Sequence, residues 1–392
     1  MPAGSLSIEL HHRSGRATGA HITSTRPDAA TRVLLGKTPE QVLATVPLLF
    51  TLCGNAQAYA ALLACRTALD IGSEPKADTA RELLVQLETL REHAWRILLD
   101  WPSFIGLAPD KTHLAALLKF DAQFKQLLFQ DGMAFRLDSR LAPDMARLSG
   151  LVAELSALTD TAIFNGRQAD FQALDTEAQL QAWLLQNPAI SARLLDFLYR
   201  QNWEAIGQNP VACLPELDGQ ALNQHMQQEG LTAFVRTPHW QGRCFETTLL
   251  NRQLARPLIS ELCRQYGNGL VVRILGRLSE VAGIPSRLNQ LLARINDGTG
   301  LPMTRTASDG LALAQVQAAR GLLIHRLVLR QGRVYDYRIV APTEWNFHPE
   351  GVVVQGLRCL QAQNPDGLRQ QAQLLVNAID PCVQYTLNLI ER

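Results

Sequence analysis

TLCGNAQAYAALLACR, residues 51–66, is the stretch on which the reading of this 392-residue chain turns. Cys53 stands just before Gly54-Asn55, where Asn55 can cap a helix, and the small and apolar residues that follow carry that helix to about Asp70. The stretch closes the longest uncharged run in the chain, Gln41 to Cys65. Pro47, Gly54-Asn55 and Gln57 interrupt the run, so no unbroken segment of about 18 apolar residues is left to cross a bilayer. Two buried core helices are expected instead, with no membrane insertion. A thiol at a helix start faces unpaired amides and the positive end of the helix dipole, a setting that favours thiolate.

Outward from this stretch, the same setting is expected at the far end of the chain. Asp380, Pro381 and Cys382 read as N-cap, N1 and N2 of a last short helix. Pro39-Glu40 opens a helix, and Ala77 to Leu99 is a long one with Leu83, Leu84, Leu87, Leu90 and Ala94 on one stripe. Helical periodicity continues through the middle, with breaks near Pro102, Pro109, Pro143, Pro188, Pro210 and Pro238, and returns at 352–363 and 367–378. Residues 5–11 and 18–25 alternate around Ser14-Gly15 as a hairpin. Gly321–Arg330 and Arg333–Val340 are β-rich runs around Gln331-Gly332. The expected fold is α+β, predominantly helical, with small sheets formed by the N- and C-terminal segments and one domain over 1–392.

Charge and motifs narrow the function by exclusion. With 37 basic and 36 acidic side chains the net charge is +1, which gives no long-range field toward nucleic acid or anionic membranes. The first dozen residues lack a basic n-region and an apolar h-region, so a cytoplasmic location is expected. Seven scattered cysteines without a C-x-x-C pair argue against a disulfide framework or a zinc ribbon. Gly36-Lys37-Thr38 has Thr31 where a phosphate-binding loop needs glycine, and Gly267-Asn268-Gly269 lacks the third glycine of a dinucleotide fingerprint. Most of the nine histidines are isolated in sequence.

Six motifs, in order, resemble those of the large subunit of nickel–iron hydrogenases. Gly4-Ser5-Leu6-Ser7-Ile8-Glu9 looks like that family's opening EGHLRIE strand, and Leu35 to Pro39 resembles its L-K-G-R-x-P step. Residues 51–66 lie where the family has R-x-C-G-x-C-x-x-x-H. Ala319-Arg320-Gly321 resembles A-P-R-G, APTEWNFHPEG (341–351) resembles P-[ST]-T-W-N-x-x-P, and residues 380–388 lie on D-P-C-x-x-C-x-x-H. The resemblance covers roughly 1–100 and 310–392; the stretch 101–309 is divergent.

The departures are as informative as the matches. By resemblance, four cysteines hold nickel and the second of each pair bridges to iron; here those second positions are Ala56 and Tyr385. The family's histidines fall on Ala60 and Asn388, and its proton-transfer glutamate on Ala3. Cys53 and Cys382 remain as metal ligands. Arg320 and Thr343, with Pro342 beside them, remain as the positions that by resemblance hydrogen-bond the cyanides on iron. Family precursors carry a C-terminal extension removed by a protease, and with Arg392 four residues past Asn388 no such tail is expected. The pattern is similar to hydrogenase expression/formation proteins of the HupK/HoxV type, and the run from His93-Ala94-Trp95-Arg96 to Asp100-Trp101-Pro102 also looks like that subgroup.

The resemblance implies a catalytically inactive scaffold or carrier that transiently holds an Fe(CN)2(CO) fragment, without nickel, for transfer to a true hydrogenase large subunit. It implies as partners a HypC-type chaperone acting with a HypD-type scaffold protein. The alternative is a metal-free protein that binds the maturation chaperones through its large-subunit-like surface.

Overall fold

A tight hairpin starts the fold. Ser5–Arg13 (β1) and Arg16–Ser24 (β2) pair antiparallel through Ser14 and Gly15, both at positive φ. A Cβ on Gly15 would stand 2.4 Å from the carbonyl oxygen of Ala362, so this turn can approach the C-terminal region only as glycine. Alternation buries Leu6, Ile8 and Leu10 on one strand and Ala17, Ala20 and Ile22 on the other. The structure, a computed structural model, describes residues 4–25, 30–299, 306–308 and 310–391.

Pro39–Leu49 (α1) opens on a capping box in which Thr38 Oγ1 accepts from Gln41 N. Gly36-Lys37-Thr38 is therefore a turn and a helix cap. Pro47 is accommodated inside α1, and the break falls a little later, at Phe50–Cys53. There the chain bends by 103° into Gly54–Ala68 (α2). Among the described residues no single helix is long and apolar enough to cross a membrane. Of these two helices α2 is the buried one, from Asn55 to Arg66; α1 buries Val42, Leu43 and Val46 and exposes Leu48.

Pro75–Trp95 (α3) buries the whole expected leucine stripe and continues through one wide π turn, Arg96–Asp100. The middle segment is helical, as its periodicity predicts. It includes Gly219–Gln228 (α4), Leu231–Arg236 (α5) and Leu270–Asp297 (α6), the last packed along α3. A contiguous apolar core runs through these helices and reaches from Leu6 to Val383.

A second sheet follows, with antiparallel order Thr306–Ser308 (β3), Leu311–Ala318 (β4), Gly321–Arg330 (β5) and Arg333–Val340 (β6). Helix α2 packs on β4 and β5. Pro342–Asn346 (α7) is a single turn, and the helix expected over 352–363 ends at Arg358. Pro365–Ile379 (α8) is the last helix among the described residues.

The expected short helix from Asp380 is not formed. Asp380 is the C-cap of α8, in the left-handed region at φ 68°, and the chain then runs as Gln384–Glu391 (β7), parallel to β1 in a sheet of order β2-β1-β7. The segment QYTLNLIE alternates, and the free edge of β1 offers it a full ladder; Asp-Pro here closes a helix instead of opening one.

Candidate functional site

Both ends of the chain meet at one small pocket. Cys53 and Cys382 line it together with Arg320 and the apolar walls Ala318, Ala319, Leu323, Ala341 and Pro342. Four separate segments supply these groups: the start of α2, the β4–β5 turn, the entry to α7 and the link from α8 to β7.

Cys53, two residues before the expected cap Asn55, is the N-cap of α2, and the helix start does not activate it. The amides of Asn55 and Ala56 are already taken by the buried carboxylate of Glu88 on α3, at 2.7 and 3.1 Å. Burial pushes the Cys53 thiol up, with the neighbouring Cys382 and Glu88 adding to the rise and Arg320 and Gln57 opposing it. In the protein alone Cys53 is therefore a thiol. Cys382 is not on a helix. Thr343 Oγ1 donates to its sulfur at 2.9 Å and accepts from its backbone N–H at 3.1 Å, which fixes the side chain from α7.

Arg320 sits at the β4–β5 turn, 5% exposed. Gly321 follows at φ 128°, where a Cβ would collide with the carbonyl oxygen of Thr247, so the pairing of arginine with glycine is a packing requirement. Thr247 Oγ1 also accepts from Leu322 N, and Asn346 bridges Thr247 N to the Arg320 carbonyl oxygen. Arg320 Nη2 pairs with Glu92 at 3.0 Å and its Nε with Asp380 at 3.2 Å. Burial alone would lower its pKa, but the Asp380 and Glu92 carboxylates outweigh burial and hold it charged. Its buried Nη1 has no hydrogen-bond partner among the described residues. Asp380 in turn is held ionised, against burial, by Arg320, Arg96 and Arg277.

From Cys53 a polar chain leads into the core. Gln57 Nε2 lies 3.8 Å from the sulfur, and Gln57 Oε1 accepts from His325 Nε2 at 2.9 Å. Burial lowers the His325 pKa to about 3, so the ring is neutral and its Nδ1 accepts from the Tyr337 hydroxyl at 2.8 Å.

Glu88 gives this site a pH signature. Burial raises its pKa from 4.5 to about 7, against Arg91 and the two amides, while Glu92 adds to the rise. A carboxyl raised in the folded state contributes stability that is full below its unfolded pKa and is lost as pH rises through the folded value. Stability should therefore fall between about pH 5 and pH 8, by about 2–3 kcal/mol from this group. Urea midpoints at the two pH values should converge in Glu88→Gln; an unchanged gap would remove Glu88 as its source.

No protein-family model matches the sequence. Among curated proteins, the sequence is 33% identical to the hydrogenase expression/formation protein HoxV of Cupriavidus necator, over 99% of this chain and 97% of that one. The chain belongs to the hydrogenase expression/formation proteins. Another relative, the hydrogenase expression/formation protein HupK of Rhodobacter capsulatus, is 39% identical over 95% of this chain and 94% of its own. The alpha subunit of sulfhydrogenase 1 from Pyrococcus furiosus is 19% identical over 91% of this chain and 89% of its own. In structure, the chain resembles the Ni-Fe-Se hydrogenase of Desulfomicrobium baculatum, with a TM-score of 0.67 and 14% identity over 95% of both chains. That likeness establishes the nickel–iron hydrogenase large-subunit fold.

In this expression/formation protein the positions that depart from the hydrogenase motifs are distributed unevenly. Ala56 and Ala60 lie buried on α2. Tyr385, the second residue of β7, lies opposite Leu6 and lines a separate surface cavity with Arg96, Asp100 and Pro381. Asn388 is exposed, opposite Glu9, and Ala3 lies outside the described residues. Glu88, Gln57 and Thr247 carry no motif. A carboxylate on a leucine-striped helix, one turn before Glu92, was the available signal for Glu88.

Proposed function

We propose that this maturation protein holds an iron fragment bearing cyanide and carbonyl ligands between Cys53 and Cys382 and passes it to a hydrogenase large subunit. The observation that carries this reading is the pocket itself: two sulfurs, a buried arginine with an unpartnered N–H, and otherwise apolar walls. Such a set suits a low-spin iron(II) fragment, whose thiolates come from the protein and whose cyanides need hydrogen-bond donors. Arg320 would donate a charge-assisted bond to one cyanide. Thr343, beside Pro342, already donates to Cys382, and this contact would tune the sulfur as it takes up iron. Ala56 and Tyr385 offer no bridging sulfur, which supports a site without nickel and a protein that is not the catalytic hydrogenase.

The raised Cys53 thiol has a consequence for release. Loading must displace its proton, so retention of the cargo weakens as pH falls, and the free state is the uncharged one. Two thiolates, two cyanides and one carbonyl leave one octahedral position open, the route by which a donor or acceptor protein could exchange the fragment. We place this exchange in the cytoplasm, with a HypC-type chaperone acting alongside a HypD-type scaffold as donor and the large subunit as recipient. Protein loaded with iron-57 in cells making the maturation set, then mixed with a metal-free large subunit, should lose the label to it. Label retained through prolonged contact would reject transfer, and protein that takes up no label in those cells would favour the metal-free chaperone-binding alternative.

A further inference from the structure

The divergent middle segment gathers histidines that are isolated in sequence. His225 lies on α4 and Glu229 caps its C-terminal end, four residues apart and therefore on one face. His239 returns to that face from the loop after α5. One ligand atom from each residue falls within 4.8 Å of the other two, and His239 Nε2 stands 3.5 Å from Glu229 Oε2. Ligand atoms of a tetrahedral zinc ion lie about 3.3 Å apart, given bonds near 2.0–2.1 Å. Small side-chain rotations therefore close the set around an ion.

The ring orientations point the same way. His225 Nε2 lies 3.0 Å from the carbonyl oxygen of His239, and His239 Nδ1 lies 3.3 Å from that of Thr237. A carbonyl only accepts, so each ring donates one N–H to backbone and keeps a lone pair on its other nitrogen. Metal-binding histidines are held in this way. Phe234 and Trp240 pack edge-on against His225, with ring centroids 5.6 and 5.1 Å away, and limit its movement. Glu229 and His239 are partly exposed, so an ion has access.

We propose that His225, Glu229 and His239 form a second metal site, for a divalent first-row ion of borderline softness such as zinc, separate from the cysteine pocket. Two imidazoles and one carboxylate leave a position for water, as in open zinc sites. Phe234 also packs edge-on against Trp345 of α7, at 5.9 Å, two residues from Thr343. An ion here would therefore brace α5 against the helix that holds Cys382. The site does not depend on the cargo reading above.

Zinc titration of the full-length protein against a chromophoric chelator tests this. One equivalent should bind in the wild type and in Cys53→Ala/Cys382→Ala. His225→Ala and His239→Ala should each weaken it by about tenfold or more. The exposed Glu229→Gln serves as the variant least able to disturb folding, and it should also weaken binding. With cobalt(II), visible d–d bands should appear without a thiolate charge-transfer band; such a band would instead report binding at Cys244, 3.3 Å from His348. Zinc bound equally well by all three ligand variants, no zinc in the wild type, loss of zinc in the cysteine variant, or a thiolate band would overturn the proposal.

Discussion

Replacing Cys53 or Cys382 by alanine should strip iron from protein purified anaerobically from cells that make the full maturation set. The two cysteines come from opposite ends of the chain yet line one pocket, and neither has a second cysteine within its motif to take its place. Losing one leaves a single thiolate in an apolar enclosure, too few ligands to retain an iron fragment. The expected effect is a fall from near-stoichiometric iron to a small residue in either variant, with nickel absent throughout. Folding should be little changed for Cys53→Ala, because Cys53 is only half-buried and caps α2 without a side-chain bond. Iron measured by plasma emission against protein concentration decides the matter. Undiminished iron in both variants, or stoichiometric nickel in the wild type, would contradict the assignment.

The second large effect is on stability. Arg320→Leu should cost about 3–5 kcal/mol, because it leaves Asp380 and Glu92 buried near the pocket without their shared cation. Arg96 and Arg277 still face Asp380, and Arg91 still faces Glu92, so the loss should fall short of complete unfolding. Removing the carboxylate as well should recover part of the loss: the Arg320→Leu/Asp380→Asn pair should be less destabilised than the sum of the single variants. Urea unfolding of the four proteins measures this coupling. Additive effects would mean that the buried ion pair at 3.2 Å carries no net interaction.

How much of this could be read from the sequence differs by segment, for physical reasons. The two hairpins were legible because alternation and a two-residue turn are local: Ser14-Gly15 and Gln331-Gly332 fall where the structure turns. Helix α3 was legible because its stripe repeats over several turns. The end of the chain is ambiguous in sequence because Asp-Pro serves a helix start and a helix stop equally well. What decided it was a strand edge on β1, nearly the whole chain away. The site residues Cys53, Arg320, Thr343 and Cys382 were reachable through the family motifs, and the structure brings Cys53, Arg320, Pro342 and Cys382 to one pocket with Thr343 bonded to Cys382. The state of the thiols was not reachable. It depends on Glu88, which occupies the helix-start amides that would otherwise have favoured thiolate. The His225–Glu229–His239 cluster was invisible for a similar reason, since His239 is placed by a loop with no periodicity.

The infrared spectrum of the anaerobically purified protein tests the cargo most directly. Metal-bound cyanide and carbonyl stretch in a window free of protein bands, and Arg320, as the proposed donor to one cyanide, should set the cyanide frequencies. Two cyanide bands and one carbonyl band should appear in the wild type, vanish in Cys382→Ala, and show shifted cyanide bands in Arg320→Lys. A wild-type spectrum empty in that window, from protein co-produced with an active maturation system, would contradict the carrier and leave a metal-free interaction protein.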